Sequence, residues 1–470
     1  MPDLELTHFD VMVIGGGPAG YSAAVRAAQL GARAVLIEKD KLGGACLNYA
    51  CVPTKFLRYV GEIQRTMGKA ARYGLGDALN EIDWPAVQSR RQSLIDAQIE
   101  GIRDLLDSYG VHVIHGEAHL QTGRTASVLT DTGETSYQAD KIIIATGAKG
   151  SRLNIPGIGE ALSSRELLQV PSLPRRLAII GGGPVGVELA TIFAHFGTAV
   201  SLIEVLPRIL PDEDAELTGL LEKELKRASI RLYTARLVCR LEKLGDGYRI
   251  ELLEDNDSAI EADLVVWCAG QKPCLDGLEA VGLRLKDGAL SVDKHLYTGT
   301  EGIYGAGDVT GKAMLAYVAV MQGRVAAENA LGQNSIMRYH GTPRCVFSLP
   351  ELASVGITED IAQAKGKRVM VGRSLFSTNI AATIYGERRG LVKVVAEAES
   401  GRLLGVQILG PEAPLLIHEA ALAIKMRASV YDIQDTLHIH PSLAEALWEA
   451  SFDATGKAMS TRKSPGTRAH

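Results

Sequence analysis

Val11-Met12-Val13-Ile14-Gly15-Gly16-Gly17-Pro18-Ala19-Gly20 decides how this chain of 470 residues is read. Four apolar residues in a row suit a buried parallel strand, and G-x-G-x-x-G follows at once. An alanine-rich stretch to about Leu30 reads as a helix, and Ala34-Val35-Leu36-Ile37-Glu38 as a second strand ending in an acid. Such glycines let the backbone turn tightly and approach a pyrophosphate, which sits at the helix N-terminus. Glu38, 18 residues past Gly20, is placed to accept hydrogen bonds from a ribose. Strand, glycines, helix, strand and acid together point to dinucleotide binding.

The pattern recurs. Leu177-Ala178-Ile179-Ile180 leads into Gly181-Gly182-Gly183-Pro184-Val185-Gly186, then a helix, then Ala199-Val200-Ser201-Leu202-Ile203-Glu204. The first glycines are 181 − 15 = 166 residues apart, and the acids 204 − 38 = 166. Two fingerprints in register mean two dinucleotide sites. Glu204 accepts from a ribose 2′-hydroxyl and repels a 2′-phosphate, which favours NAD over NADP; Arg208 is the one nearby residue able to receive such a phosphate.

Just after the first fingerprint comes Gly43-Gly44-Ala45-Cys46-Leu47-Asn48-Tyr49-Ala50-Cys51-Val52-Pro53-Thr54-Lys55. A C-x4-C pair is either half of a zinc site or a redox pair. Zinc needs about four ligands, and no second close cysteine pair or matching histidine spacing supplies them, so no metal is expected. A disulfide that opens and closes is the better reading. With a helix from Thr54, both thiols lie at or before its N-terminus, where the dipole favours a thiolate, and Lys55 adds charge. The disulfide should then lie against a flavin bound at the first site, with a nicotinamide at the second, because flavin links hydride chemistry to thiol chemistry.

The remaining chain fits a large soluble enzyme. Its 46% hydrophobic and 22% charged residues are ordinary, and a net charge of −5 without a basic block argues against nucleic acid. No apolar run reaches the ~18 residues of a membrane span. Six cysteines suggest a reducing compartment, the cytoplasm. Arg58 to about Leu106 reads as long helices; Lys141–Gly147 and Val265–Gly270 read as strands closing the two nucleotide units. Gly302–Asp308 is another strand and glycine turn, whose Asp308 either accepts from a polyol hydroxyl or merely caps the turn. A helix from Met314 to about Asn329, short strands from Pro343 to about Leu409 and a helix from Pro414 to Met426 follow, and Thr455–His470 reads as a disordered tail. In His438-Ile439-His440-Pro441-Ser442-Leu443-Ala444-Glu445, Pro441 suits the first position of a helix. That would hold His440 at the entrance with Glu445 a little over one turn on. Such a pair serves as a general base, although a lone histidine there is often only a cap.

With these residues assembled, the chain resembles the flavin-dependent pyridine nucleotide–disulfide reductases (class I) over nearly its whole length. Met314-Leu315-Ala316-Tyr317 and His418-Glu419-Ala420-Ala421 lean toward the branch that oxidises dihydrolipoamide. The resemblance implies an α/β fold: two Rossmann-like domains, for FAD in 1–150 and NAD in 151–272, a central domain over 273–341, a C-terminal α+β dimerisation domain over 342–458, and a tail at 459–470. It implies FAD contacts from Gly15, Gly17, Gly20, Glu38, Lys55, Ala118, Thr146, Gly147, Asp308 and Ala316, and NAD contacts from Gly181, Gly183, Gly186, Glu204 and Gly270. Cys46 would meet the substrate, Cys51 would lie beside the flavin, and Lys55 would pair with Glu188. His440, with Glu445, would come from the other subunit of a homodimer. The lipoyl group would be free or borne by a carrier protein. Alternatives are a glutathione-type reductase driven by NADPH, or a flavoprotein subunit used mainly for docking. The sequence departs from the family at Ala45 (usually Thr), Ala50 (Gly), Lys272 (Arg), Tyr317 (His) and Leu349 (His).

Overall fold

The computed structural model describes residues 7–76, 81–253 and 259–459. Parallel strands that are apolar at every position need cover on both faces, and both fingerprint units meet that need alike. In the first, His112–His115, Ala34–Glu38, Thr7–Ile14 and Gly133–Ile144 lie in that order. Ile303–Gly305 adds a further parallel strand beside Ile142–Ile144. The early part of Gly133–Ile144 instead pairs antiparallel with Thr125–Thr130, which pairs with Glu117–Gln121. In the second unit, Arg231–Tyr233, Ala199–Ile203, Arg176–Ile180, Leu264–Trp267 and Leu162–Ser163 form an all-parallel sheet. The repeat extends to single hydrogen bonds: Gly15 N donates to Ile37 O at 2.8 Å, and Gly181 N to Ile203 O at 2.8 Å.

The segments that lead into and out of the second unit run side by side, Ala148–Gly150 pairing antiparallel with Gln271–Pro273. The helix Ala316–Ala330 crosses the first fingerprint helix, Pro18–Gln29, at backbone contact: a Cβ on Gly323 would lie 2.1 Å from Ala19 O. This crossing brings the Asp308 turn over the first fingerprint.

The C-terminal unit is a five-stranded antiparallel sheet in the order Arg344–Val346, Glu351–Gly356, Leu403–Gly410, Leu391–Glu397, Val369–Leu375. The helices Ala413–Met426 and Glu445–Ala454 pack on it, with Ile417, Ala420, Leu447 and Ala450 in the shared core. Lys393 is buried in this sheet and pairs with Asp214 at 2.9 Å, Glu216 at 3.1 Å and Glu359 at 2.9 Å. It thereby ties the sheet to the second unit's helix Ala215–Arg227, which Asp214 caps. Residues 455–459, expected at the start of a disordered tail, are ordered instead. Thr455 caps the last helix and accepts from Gln434 Nε2 at 3.0 Å, and Met459 N donates to Glu449 at 2.7 Å. Residues 460–470 lie outside the described residues. No helix of the described residues is long and apolar enough to cross a membrane.

Candidate active site

The fingerprint glycines divide by what surrounds them. Gly15 and Gly181 have φ of 105° and 114°, a region that L side chains rarely adopt. A Cβ on Gly20 would lie 1.7 Å from Gly15 O, and one on Gly186 would lie 1.9 Å from Gly181 O, so both are required for strand and helix to meet. At Gly17 the nearest atom would be Gly44 Cα at 3.8 Å, and at Gly183 nothing lies within 4 Å. No described protein atom requires these two to be small, and the backbone there is open to close approach by a group the size of a pyrophosphate.

The two acids are equally alike. Glu38 accepts from Gly16 N at 2.5 Å and Asp40 N at 2.7 Å, and Glu204 from Gly182 N at 2.6 Å and Leu206 N at 2.8 Å. Each carboxylate is thus fixed at its strand end with lone pairs left for hydroxyl donors. A cavity of about 610 Å³ opens beside Glu38, walled by Leu42, Ile99, Arg103 and His112. Arg208, the candidate receiver of a 2′-phosphate, is turned away: its guanidinium donates to Glu213 O at 2.9 Å, Thr218 Oγ1 at 3.3 Å and Pro211 O.

Thr146 Oγ1 donates to Cys274 O at 2.6 Å, and Cys274 N to Gly147 O at 2.9 Å. Gly270 accepts from Ser151 N at 3.0 Å at the mouth of the second unit. Ala118 is buried in the strand Glu117–Gln121, and Ala316 opens its helix. Asp308 starts a short 3-10 turn; burial holds its carboxyl above the usual carboxylate range, and that carboxyl makes no hydrogen bond among the described residues.

The cysteine segment is more helical than expected. Gly44–Tyr49 forms a short helix that contains Cys46, and a long helix, Cys51–Met67, starts at Cys51 and not at Thr54. Pro53 permits this because it sits in the first turn, where its missing N–H has no intrahelical acceptor. Ala50 keeps a negative φ of −137°, so glycine is not needed there. Cys46 and Cys51 are free thiols that hydrogen-bond one another. That bond, then burial, pushes the Cys46 thiol up; the same bond, opposed by burial and helped by the Lys55 ammonium, pulls Cys51 down. Cys51 therefore loses its proton first, and Cys46 donates to it.

Lys55 Nζ stands 2.9 Å from Glu188 Oε2 on the second fingerprint helix, Pro184–His195. Two partners here carried no signal in the sequence. Phe347 N donates to Glu188 Oε1 at 2.9 Å, and the Phe347 ring lies 4.3 Å beneath Lys55 Nζ.

His440 and Glu445 also meet, with Nδ1 2.8 Å from Oε1. Pro441, however, does not open a helix. The His440–Pro441 peptide is cis and the helix begins four residues later, at Glu445. Ser442 is held otherwise: its carbonyl accepts from Asn379 Nδ2 at 2.9 Å and its N–H donates to Glu445 Oε2 at 2.8 Å. Ala446 N, the donor a helix would send to Ser442 O, bonds Leu443 O instead. The His440 side chain is 67% exposed, and its Nε2 has no partner among the described residues.

Residues 9–323 match the pyridine nucleotide-disulphide oxidoreductase family, and residues 342–451 match the dimerisation domain of that family. The chain belongs to this family. Among curated members, a dihydrolipoyl dehydrogenase of Bacillus subtilis is 35% identical over 96% of this chain and 99% of its own. One from Thermus scotoductus is 38% identical over 94% and 96%. Among solved members, LpdA of Mycobacterium tuberculosis superposes with a TM-score of 0.86 at 30% identity, over 95% of this chain and 99% of that one. A copper(II) complex of RclA, an HOCl-induced flavoprotein disulfide reductase of Escherichia coli, gives 0.87 at 26% identity, over 95% and 99%. This oxidoreductase thus shares the architecture of these solved relatives over 95% of its length, and its dimerisation domain supports a homodimer.

Proposed function

We propose that this oxidoreductase oxidises dihydrolipoamide, free or borne by a carrier protein, to lipoamide and reduces NAD+ to NADH. One observation carries the reading: two neighbouring free thiols beside Lys55, which pairs with Glu188 on the helix of the second of two dinucleotide cradles. Curated relatives named dihydrolipoyl dehydrogenase at 35% and 38% identity support the choice of dithiol.

FAD fits the first cradle, among Gly15, Gly17, Gly20, Glu38, Lys55, Ala118, Thr146, Gly147, Ala316 and the unpartnered Asp308. NAD fits the second, among Gly181, Gly183, Gly186, Glu204 and Gly270, with Arg208 bound elsewhere. FAD held there would supply electron-pair transfer between the thiols on one side and a nicotinamide on the other. Everything else is done by the chain. With Cys46 and Cys51 joined as a disulfide, the partner subunit's His440 removes a proton from one substrate thiol through Nε2. Glu445, on Nδ1, fixes the tautomer and steadies the imidazolium. The substrate thiolate attacks Cys46 Sγ, the Cys46–Cys51 bond breaks, and Cys51 leaves as the stabilised thiolate. The second substrate sulfur then closes the lipoamide ring by displacing Cys46, which takes up a proton and donates to Cys51. Lys55 balances the Cys51 charge, and Glu188 and the Phe347 ring hold Lys55 in place. Six cysteines in 470 residues suit the reducing cytoplasm as the setting.

Steady-state turnover with dihydrolipoamide and NAD+, beside glutathione disulfide and NADPH, tests the reading. Turnover of the first pair is expected; a preference for the second would overturn it.

A further inference from the structure

Two residues before His440, His438 makes contacts that the proposed base pair does not explain. Its side chain is 5% exposed, whereas Leu437 and Ile439 on either side are 93% and 81% exposed. The segment that presents His440 to solvent thus has one inward anchor, and it is an imidazole. Nδ1 lies 2.8 Å from Thr436 O, and Nε2 lies 3.1 Å from Glu419 Oε1. A backbone carbonyl can only accept, and so can a carboxylate. Neutral imidazole has one N–H, which would leave a bare nitrogen against an oxygen; the imidazolium, with two, satisfies both.

The charged groups facing the ring agree. Glu419 comes from the helix Ala413–Met426 and Glu445 from the helix Glu445–Ala454, both acidic. The bond to Glu419 above all, against the opposing effect of burial, raises the ring's ionisation above that of an ordinary histidine. Trp448 covers the ring with centroids 6.2 Å apart and is itself fixed by donating to Gln434 O at 3.0 Å.

We infer that His438 is a positioning residue, an imidazolium that clamps the base-bearing segment to the helix Ala413–Met426 and sets where His440 Nε2 stands. The inference rests on the role proposed for His440. The cation also faces Glu445, so it offsets part of the negative charge that Glu445 presents to His440. Replacing it by a neutral group leaves Glu445 unopposed, and the rising limb of the kcat/KM profile for dihydrolipoamide moves to higher pH.

The test uses the FAD-loaded dimer. In His438→Gln, which keeps one donor and no charge, kcat falls about tenfold with little change in KM, as expected for a misplaced group. The rising limb moves up by roughly half a pH unit. NADH oxidation by the dye dichlorophenolindophenol, which uses neither thiols nor base, stays at the wild-type rate. Glu419→Gln, at a half-exposed site that tolerates change, gives the same shift in smaller measure. In nitrogen-15 histidine spectra the wild-type His438 ring keeps its second proton to higher pH than an ordinary histidine, and in Glu419→Gln it loses that proton at lower pH than in the wild type. A neutral wild-type ring at pH 7, or a His438→Gln enzyme with unchanged kcat and an unmoved limb, overturns the inference. Failure of the wild type to turn over dihydrolipoamide would instead overturn the proposed function, since the spectra need no turnover.

Discussion

At the scale of single residues, the two fingerprints make opposite demands on glycines three positions apart. Gly186→Ala drives a methyl into Gly181 O, so the second unit is overpacked where strand meets helix. Its thermal midpoint falls, by an amount corresponding to about 1–3 kcal/mol. Gly183→Ala meets no protein atom, so stability holds to within about 0.5 kcal/mol while KM for NAD+ rises roughly tenfold. Thermal unfolding and initial rates on both variants separate fold from cradle. Cys51→Ser removes the thiol that ionises first. Dithiol oxidation is lost while the flavin absorbance of the purified protein is retained; full turnover in this variant would refute the relay. Both fingerprints were readable in the sequence because their parts are local: strand, turn, helix and acid lie within one short stretch of chain. Phe347 beneath Lys55 was not, because the pairing exists only after two distant segments have packed.

Among elements, the junction of the cysteine helix with the C-terminal sheet holds a titratable pair. Arg58, on the helix, meets Glu351, at the head of its strand, at 2.7 Å, and also Glu62 at 3.1 Å. Burial outweighs Arg58 and pushes the Glu351 carboxyl up to about 7 from the ordinary 4.5. The folded chain therefore binds this proton more tightly than the unfolded chain does. The stabilising contribution is complete below about pH 4.5 and is lost as pH rises through about 7, an effect of about 3 kcal/mol. Between about pH 5 and pH 8 the wild-type thermal midpoint should drop further than that of Glu351→Gln, and parallel curves would contradict this assignment. The sequence placed most helices and strands correctly, and it erred where chain ends compete for hydrogen bonds. It started the cysteine helix three residues late, at Thr54. It also started the last helix four residues early, because nothing local reveals that Asn379 captures the Ser442 carbonyl.

For the molecule as a whole, one buried lysine and one pairing of subunits matter most. Lys393→Met leaves Asp214 buried without a cation, while Arg373 still holds Glu216 at 2.8 Å and Glu359 at 3.0 Å. Breaking such a pair costs about 3–5 kcal/mol, to be seen as a lower urea midpoint for separation of the second unit from the C-terminal sheet. If each site takes thiols from one chain and the base from the other, two dead enzymes should complement one another. Refolding Cys51→Ser together with His440→Gln makes half the dimers mixed, each with one intact site, and restores about a quarter of wild-type turnover. No recovery would place both groups in one chain. The short ribbon of Ala148–Gly150 with Gln271–Pro273 bears on how such an enzyme changes its electron acceptor. The nicotinamide half hangs from it like a drawer on paired runners, its two seams adjacent. A different drawer, shaped for another acceptor, can be fitted through that single opening if it keeps the acids that meet Lys55 and Lys393.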